Sequence, residues 1–229
     1  MSPLPITPEY LGSALEDGYR MGEMTLRHQI VGDLILPSGQ LVACDPFMVP
    51  DTPPFKLSMS PGKFPVTLSI AHIKTDQRVA FATLRVSQTA PASWEMLTVG
   101  NQEVATLEEG EIFGYGVDSG TGCFMDLSTC RALAGRMAKQ QNFYETLMAE
   151  MDKTYRNTWS WLDTELGEGN LLAFSSGYGD GVYATYAGRD SEGHVSVVVT
   201  DFGVLPFEKP QKPKHKTLSS FVTGLFRKN

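Results

Sequence analysis

The sequence predicts an α+β protein: an antiparallel β-meander or sandwich-like sheet with one long helical segment, about 127–166, packed on it. Three observations carry this. Short β-branched and aromatic runs recur between turn residues on both sides of that segment. Within it, apolar residues return at three- and four-residue intervals. Two glycine-rich segments bearing aspartate, 114–126 and 176–183, punctuate the strands, followed by Arg189-Asp-Ser-Glu-Gly193 and Thr200-Asp-Phe-Gly203.

Taken in order, residues 1–29 read as a helical or irregular extension. A short helix over 8–18 has Thr7 as its cap and Pro8 at its first position. From Ile30 the pattern is strand-like. Residues 32–36 run into the turn Pro37-Ser38-Gly39 and residues 40–44 leave it, which predicts a hairpin, ended by Asp45-Pro46. Three prolines in 50–54 make a loop. The runs 64–73, 78–87 and 93–99 are spaced as a meander, and 111–117 is a further strand that delivers Asp118 at its end.

Leu133, Met137, Phe143, Tyr144, Leu147, Met151, Tyr155, Trp159 and Leu162 then mark an amphipathic helix, or a pair of helices, lying on the sheet. Its methionines and aromatics are core filler by this reading. Residues 171–175, 181–187 and 194–199 restore strands, and Val195-Ser-Val-Val-Val199 has the composition of a strand buried on both faces. Residues 30–207 are thus expected to form a single α+β domain. Residues 208–229 read as a basic Pro/Lys linker with a short amphipathic helix at the carboxy terminus.

Composition narrows the function classes. The chain has 229 residues, 41% of them hydrophobic, which suits one core-bearing domain. No apolar run approaches the roughly 20 residues of a membrane-spanning helix, and the first residues have neither the charge nor the apolar stretch of a signal peptide. Cys44, Cys123 and Cys130 are odd in number and lack C-x-x-C spacing, so reduced thiols in the cytoplasm are expected, without a disulfide framework.

Charge is uneven. Lys209, Lys212, Lys214, Lys216, Arg227 and Lys228 against Glu208 give the tail a net +5, and the total of −7 leaves −12 on residues 1–207. A body this acidic repels nucleic-acid phosphates and attracts cations or basic proteins. In the tail, Lys212, Lys214, Lys216, Phe221, Leu225 and Phe226 are candidates for contact with a partner or an anionic surface.

Several motifs in fixed order resemble one bacterial family. They are Gly32-Asp-Leu-Ile-Leu-Pro-Ser-Gly39, Val42-Ala-Cys-Asp-Pro46, Gly62-Lys-Phe-Pro-Val-Thr-Leu-Ser69, Val117-Asp-Ser-Gly-Thr-Gly-Cys-Phe-Met-Asp126 and Gly179-Asp-Gly-Val-Tyr183 through Thr200-Asp-Phe202. The family is domain of unknown function 4241. The resemblance covers about residues 30–207, judged from where these motifs begin and end, and implies boundaries rather than chemistry.

Two better-known motifs are echoed and fail on context. Asp118-Ser-Gly-Thr-Gly122 resembles the first phosphate loop of the actin and sugar-kinase superfamily, but it precedes a helix after a hundred residues of meander. Asp201-Phe202-Gly203 resembles the kinase magnesium triplet, without a glycine-rich loop, strand lysine or His-Arg-Asp loop to accompany it. His28, His72, His194 and His215 stand in no zinc-ligand or hydrolase spacing. Cys123, before a predicted helix, is either a thiolate at a helix amino terminus or a small buried residue at a strand-to-helix junction.

The ligand-binding candidates are therefore Asp118, Ser119, Thr121, Cys123, Asp126, Tyr178, Asp180 and Asp201. Asp118, Asp126, Asp180 and Asp201 lie near predicted strand ends, where carboxylates suit Mg²⁺, Mn²⁺ or Ca²⁺. Asp190-Ser-Glu192-Gly193 is also an ordinary hairpin turn. Two main readings follow. One is a binding or regulatory module, immunity-like modules included, whose acidic glycine-rich face holds a small ligand, a cation or a basic protein such as a toxin. The other is a divalent-metal-dependent hydrolase or transferase acting on a phosphate-bearing small molecule or nucleotide.

Overall fold

Continuous apolar strands, rather than alternating ones, lie at the centre of this protein. The computed structural model describes residues 7–48 and 52–205. Along the chain come α1 (Leu11–Ala14), β1 (Arg20–Met21), β2 (Met24–Leu36), β3 (Leu41–Cys44), β4 (Gly62–Ile73), β5 (Asp76–Arg85), β6 (Ser93–Met96), β7 (Tyr115–Val117) and β8 (Thr121–Asp126). Then follow α2 (Leu127–Lys139), α3 (Phe143–Asp152), β9 (Trp161–Leu166), β10 (Gly169–Ser175), β11 (Gly181–Tyr183), β12 (Thr185–Arg189) and β13 (Val195–Asp201). All pairings are antiparallel, in a seven-stranded sheet β1-β2-β4-β5-β13-β12-β6, a four-stranded sheet β3-β8-β10-β9 and a two-stranded ribbon β11-β7.

The four-stranded sheet is the middle layer. Side chains alternate across a strand, and here both faces meet apolar partners. Leu41, Ala43, Phe124, Leu172 and Phe174 point into a core shared with the seven-stranded sheet. Val42, Cys44, Cys123, Met125, Leu171 and Ala173 point into a second core closed by Cys130 and Leu133 of α2 and Phe143, Leu147 and Met151 of α3. Each large aliphatic or aromatic side chain buried in this way contributes about 2 kcal/mol before conformational entropy is set against it. The predicted α+β architecture of antiparallel sheet with helices packed on it is what forms.

Several boundaries differ from expectation. The helical segment is two helices that end at Asp152, and Trp161–Leu166 is a strand. The polar run Gln140-Gln-Asn142 supplies no apolar residue to hold a continuous helix, and the chain is extended at Gln140. Beyond α3, Asn157 takes a left-handed conformation (φ 54°), and Arg156 lies over the rings of Trp159 and Trp161 at 5.2 and 4.9 Å. Leu162 and Leu166 are four apart, a spacing that one face of a helix and one face of a strand both satisfy.

The expected hairpin over 32–44 does not form, because β2 pairs with β4 whereas β3 pairs with β8. Asp126 holds the corner between them by accepting from the Ser38 amide and hydroxyl at 2.9 Å each. The meander is likewise interrupted after β5. The valine-rich strand β13 takes the place beside β5 and separates it from β6. As expected, β13 is buried along nearly its whole length. Residues 111–114 are outside the strand that reaches Asp118, which begins at Tyr115. At the amino end the helix is only Leu11–Ala14, with Tyr10 rather than Thr7 at its cap, and β2 begins at Met24, inside the expected extension. The tail over 208–229, with its six candidate residues, lies outside the described residues.

Where the two larger sheets cross, the side-chain amide of Asn170 bridges them. Asn170 accepts from the Ile35 amide (2.8 Å) and donates to the Asp33 carbonyl (2.9 Å) and the Asp163 carboxylate (2.7 Å). It acts as a one-residue strand against the edge of β2. A Cβ on Gly32 would fall 2.3 Å from Asp163 Oδ2, so the backbone of β2 approaches β9 as closely as glycine permits. Asn170→Ala leaves the Ile35 amide and the Asp33 carbonyl without these partners; urea denaturation is expected to show a loss of about 2–3 kcal/mol.

Candidate functional site

The two glycine-rich segments, sixty residues apart in sequence, meet in space. Within the ribbon, Val117 pairs with Gly181 and Tyr115 with Tyr183, and the Ser176 amide donates to the Gly120 carbonyl at 3.0 Å. Their glycines serve close packing. A Cβ on Gly114 would lie 2.5 Å from the Tyr183 carbonyl oxygen, and one on Gly122 would lie 2.6 Å from the Tyr115 hydroxyl.

A buried acid fixes the turn that follows β7. Asp45, 1% exposed, accepts from the amides of Asp118 (3.0 Å) and Ser119 (2.8 Å) and from the Ser119 hydroxyl (2.8 Å), as well as from its own neighbour Phe47 (2.9 Å). Its carboxylate is therefore saturated with donors, as a buried acid must be. On the partner segment, the Tyr183 hydroxyl donates to the Gly179 carbonyl (2.7 Å), closing the turn over 176–180. Tyr183 packs on Phe202, and Phe202 on Phe174, at 5.0 and 6.0 Å between ring centres, so an aromatic chain ties the ribbon to the core.

The eight candidate residues separate into two groups. Ser119 is spent on Asp45, and Thr121 is buried, its hydroxyl toward the Ser119 carbonyl. Cys123 lies inside β8 rather than at a helix terminus, and burial pushes its thiol well above the usual range. The activated-thiolate reading is thereby corrected in favour of the structural one. Asp126 caps α2 through the Ser128 amide and hydroxyl while holding Ser38. Asp201 is buried, accepting from the Tyr10 hydroxyl (2.6 Å) and the Gly203 amide (2.8 Å). Asp118, Tyr178 and Asp180 remain exposed, and all three fall at one end of the ribbon.

The four carboxylates named as metal ligands thus occupy separate places: Asp118 and Asp180 just past the last paired positions of the ribbon, Asp126 at a helix cap, Asp201 beneath α1. Among the described residues no group of three or more His, Cys, Asp or Glu is placed to hold a metal ion. Asp190 is the hairpin turn it resembled, its side chain accepting from the Glu192 and His194 amides.

Beside these acids the ribbon exposes apolar surface. Tyr178 is 61% and Val182 57% exposed, and Arg78, itself paired with Asp76 at 2.9 Å, sits 5.3 Å from the Tyr178 ring centre. At the root of the ribbon lies a pocket of about 190 Å³ walled by Ala43, Cys44, Phe55, Leu97 and Gly114 to Gly116. This is below the roughly 300–1,000 Å³ of drug-sized ligand sites. Sequence reasoning missed Asp45 and Val182. The Asp45-Pro-Phe47 segment signals a local side-chain turn, but nothing local links Asp45 to residues 118 and 119.

The family described as Protein of unknown function (DUF4241) matches residues 34–200. The chain belongs to this family. Neither a curated protein nor a solved structure matches it. The matched span of the DUF4241 chain runs from within β2 to within β13, so it contains the ribbon, both turns and Asp45. No helix among its described residues is long and apolar enough to cross a membrane.

Two buried acids give opposite pH signatures. Burial raises the pKa of Asp201, and the bonds from Tyr10 and Gly203 offset only part of that. Its folded form therefore retains a proton that the unfolded chain releases near pH 4, and stability falls as pH rises through that window. For Asp126, burial also works upward, but the bonds from Ser128 and Ser38 outweigh it and hold the pKa below the ordinary value. Its contribution is present above the unfolded value and is lost as pH falls through the folded one. Urea midpoints from about pH 3 to about pH 7 should lose the first slope in Asp201→Asn and the second in Asp126→Asn. Asp45→Ala should cost about 2 kcal/mol and speed amide exchange at residues 118 and 119, read by mass spectrometry.

Proposed function

We propose that this chain is a binding module whose recognition surface is the exposed end of the glycine ribbon, and that the surface takes a basic, partly apolar segment of a partner protein. The observation that carries the reading is the convergence of Asp118, Asp180, Tyr178 and Val182, all exposed, on one small rigid element. Neither Asp118 nor Asp180 is engaged in an ion pair among the described residues. Carboxylates around an aromatic anchor suit a lysine- or arginine-bearing partner, with the aromatic supplying buried area and the acids supplying orientation and approach rate. The net charge of −12 on residues 1–207 favours such a partner at longer range.

A metal-dependent hydrolase or transferase has less support. Its ligand set is spent on capping and packing at Asp126 and Asp201, and the pocket at the ribbon's root is small. Small-ligand binding stands behind protein recognition for the latter reason.

A fluorescein-labelled peptide of alternating lysine and leucine serves as the probe. Binding by anisotropy should weaken as salt rises, because exposed charges are screened beyond about 10 Å at 0.1 M. The double variant Asp118→Lys with Asp180→Lys should lose at least about tenfold in affinity, about 1.4 kcal/mol, and Tyr178→Ala should lose affinity without changing the salt slope. A folded double variant that binds as tightly as the parent rejects the ribbon as the site.

A further inference from the structure

Three cysteines surround the second core, and two of them are direct neighbours across a ladder. Cys44 of β3 is the register partner of Cys123 in β8, and their sulfurs are 3.7 Å apart. Cys130, on α2, has its sulfur 3.9 Å from the Thr52 carbonyl. All three are reduced. Cys44 also belongs to the wall of the 190 Å³ pocket at the ribbon's root, together with Tyr115 and Gly116.

We infer that Cys44 and Cys123 form a reversible disulfide when the chain meets a small peroxide, making this pair an oxidation site of the protein. A disulfide requires sulfurs about 2.05 Å apart and Cβ atoms about 3.8 Å apart. Directly opposed strand residues hold their Cβ atoms somewhat wider, about 4.5–5.5 Å. The sulfurs already face each other, so bond formation needs side-chain rotation and a small closing of the two strands. A link made at that cost stays reducible by ordinary thiols.

The chemistry balances with hydrogen peroxide as the oxidant. The Cys44 sulfur, in a residue that is 2% exposed and whose chain neighbour Ala43 also lines the pocket, attacks one peroxide oxygen; the O–O bond breaks, Cys44 becomes a sulfenic acid, and the displaced hydroxide takes up the thiol proton as water. The Cys123 sulfur then attacks the sulfenic sulfur. The S–S bond forms, the S–O bond breaks, and the departing hydroxide leaves as a second water with the Cys123 proton. Two thiols are oxidised by two electrons and one peroxide is reduced. Burial pushes the Cys123 thiol well above its usual range, and because the thiolate is the nucleophile this makes the overall reaction slow.

The position gives the bond a structural consequence. Cys44 immediately precedes Asp45, and Cys123 follows the turn that Asp45 holds at residues 118 and 119. The link would join the two strands at the root of that turn. This chemistry does not depend on whether the ribbon binds a basic partner.

The test treats the full chain with hydrogen peroxide, denatures it in excess maleimide, and maps the peptides by mass. The expected product is a monomer lighter by two hydrogens before alkylation, with the Cys44 and Cys123 peptides joined, Cys130 alkylated, and three alkylated sites restored by dithiothreitol. Cys130→Ser should form the same link, and Cys44→Ser should not. Three alkylated sites after treatment, oxygen adducts in place of a link, or a bond through Cys130 or to a second chain would each overturn the assignment. The unsubstituted chain carries the primary readout, so a variant that fails to fold does not blunt the test.

Discussion

Burial of the four-stranded sheet on both faces is the constraint on which the rest of the structure depends. A sheet with one wet face can alternate polar and apolar residues, whereas β3, β8 and β10 cannot. Once Phe124 and Phe174 face one core and Met125 and Leu171 the other, a roof is needed on each side. The seven-stranded sheet supplies one and α2 with α3 the other. Along β3, β8 and β10 the buried polar side chains that hold the layer stand at or next to strand ends: Asp45 and Asp126 beside β3 and β8, and Asn170 near the start of β10.

That constraint explains the fate of the acidic motifs. Aspartates at strand ends in a doubly covered layer are drawn into capping and corner-holding, because backbone amides there need acceptors. Asp126 and Asp201 went that way. Of the four acids, the two left at the surface are Asp118 and Asp180, at the exposed end of the ribbon. The ribbon is short, yet it is not loose, since Asp45 holds one turn from below and Tyr183 with Phe202 holds the other.

How much of this was legible depends on the range of the interaction. Strand content, the buried character of Val195–Val199 and the hairpin turn at Asp190 follow from local pattern and were readable. The end of the helical region was not, because Leu162 and Leu166 satisfy two periods at once and only the pairing with β10 decides between them. The corner at Pro37-Ser38-Gly39 looked like a hairpin for a similar reason: its local chemistry is that of a turn, and its destination is set by Asp126, 88 residues away. For the site, the meeting of the two glycine-rich segments left no local trace. The exposed trio of Asp118, Tyr178 and Asp180 was named among eight candidates, but burial alone separated it from the other five.

The amide of Asn170 has a consequence beyond joining sheets. A thirteen-residue strand at the margin of a sheet exposes a row of amides and carbonyls on which another chain can grow, the usual route to aggregation. Along β2 that row is already taken up: Thr25 and Met24 by β1, Leu26 by Gly18 and Tyr19, the amide of His28 by Asp17, and Asp33 and Ile35 by Asn170. The bulge between Ile30 and Gly32 breaks the regular repeat in the remaining stretch. The same side chain that holds two sheets of one molecule together thus also helps keep neighbouring molecules apart.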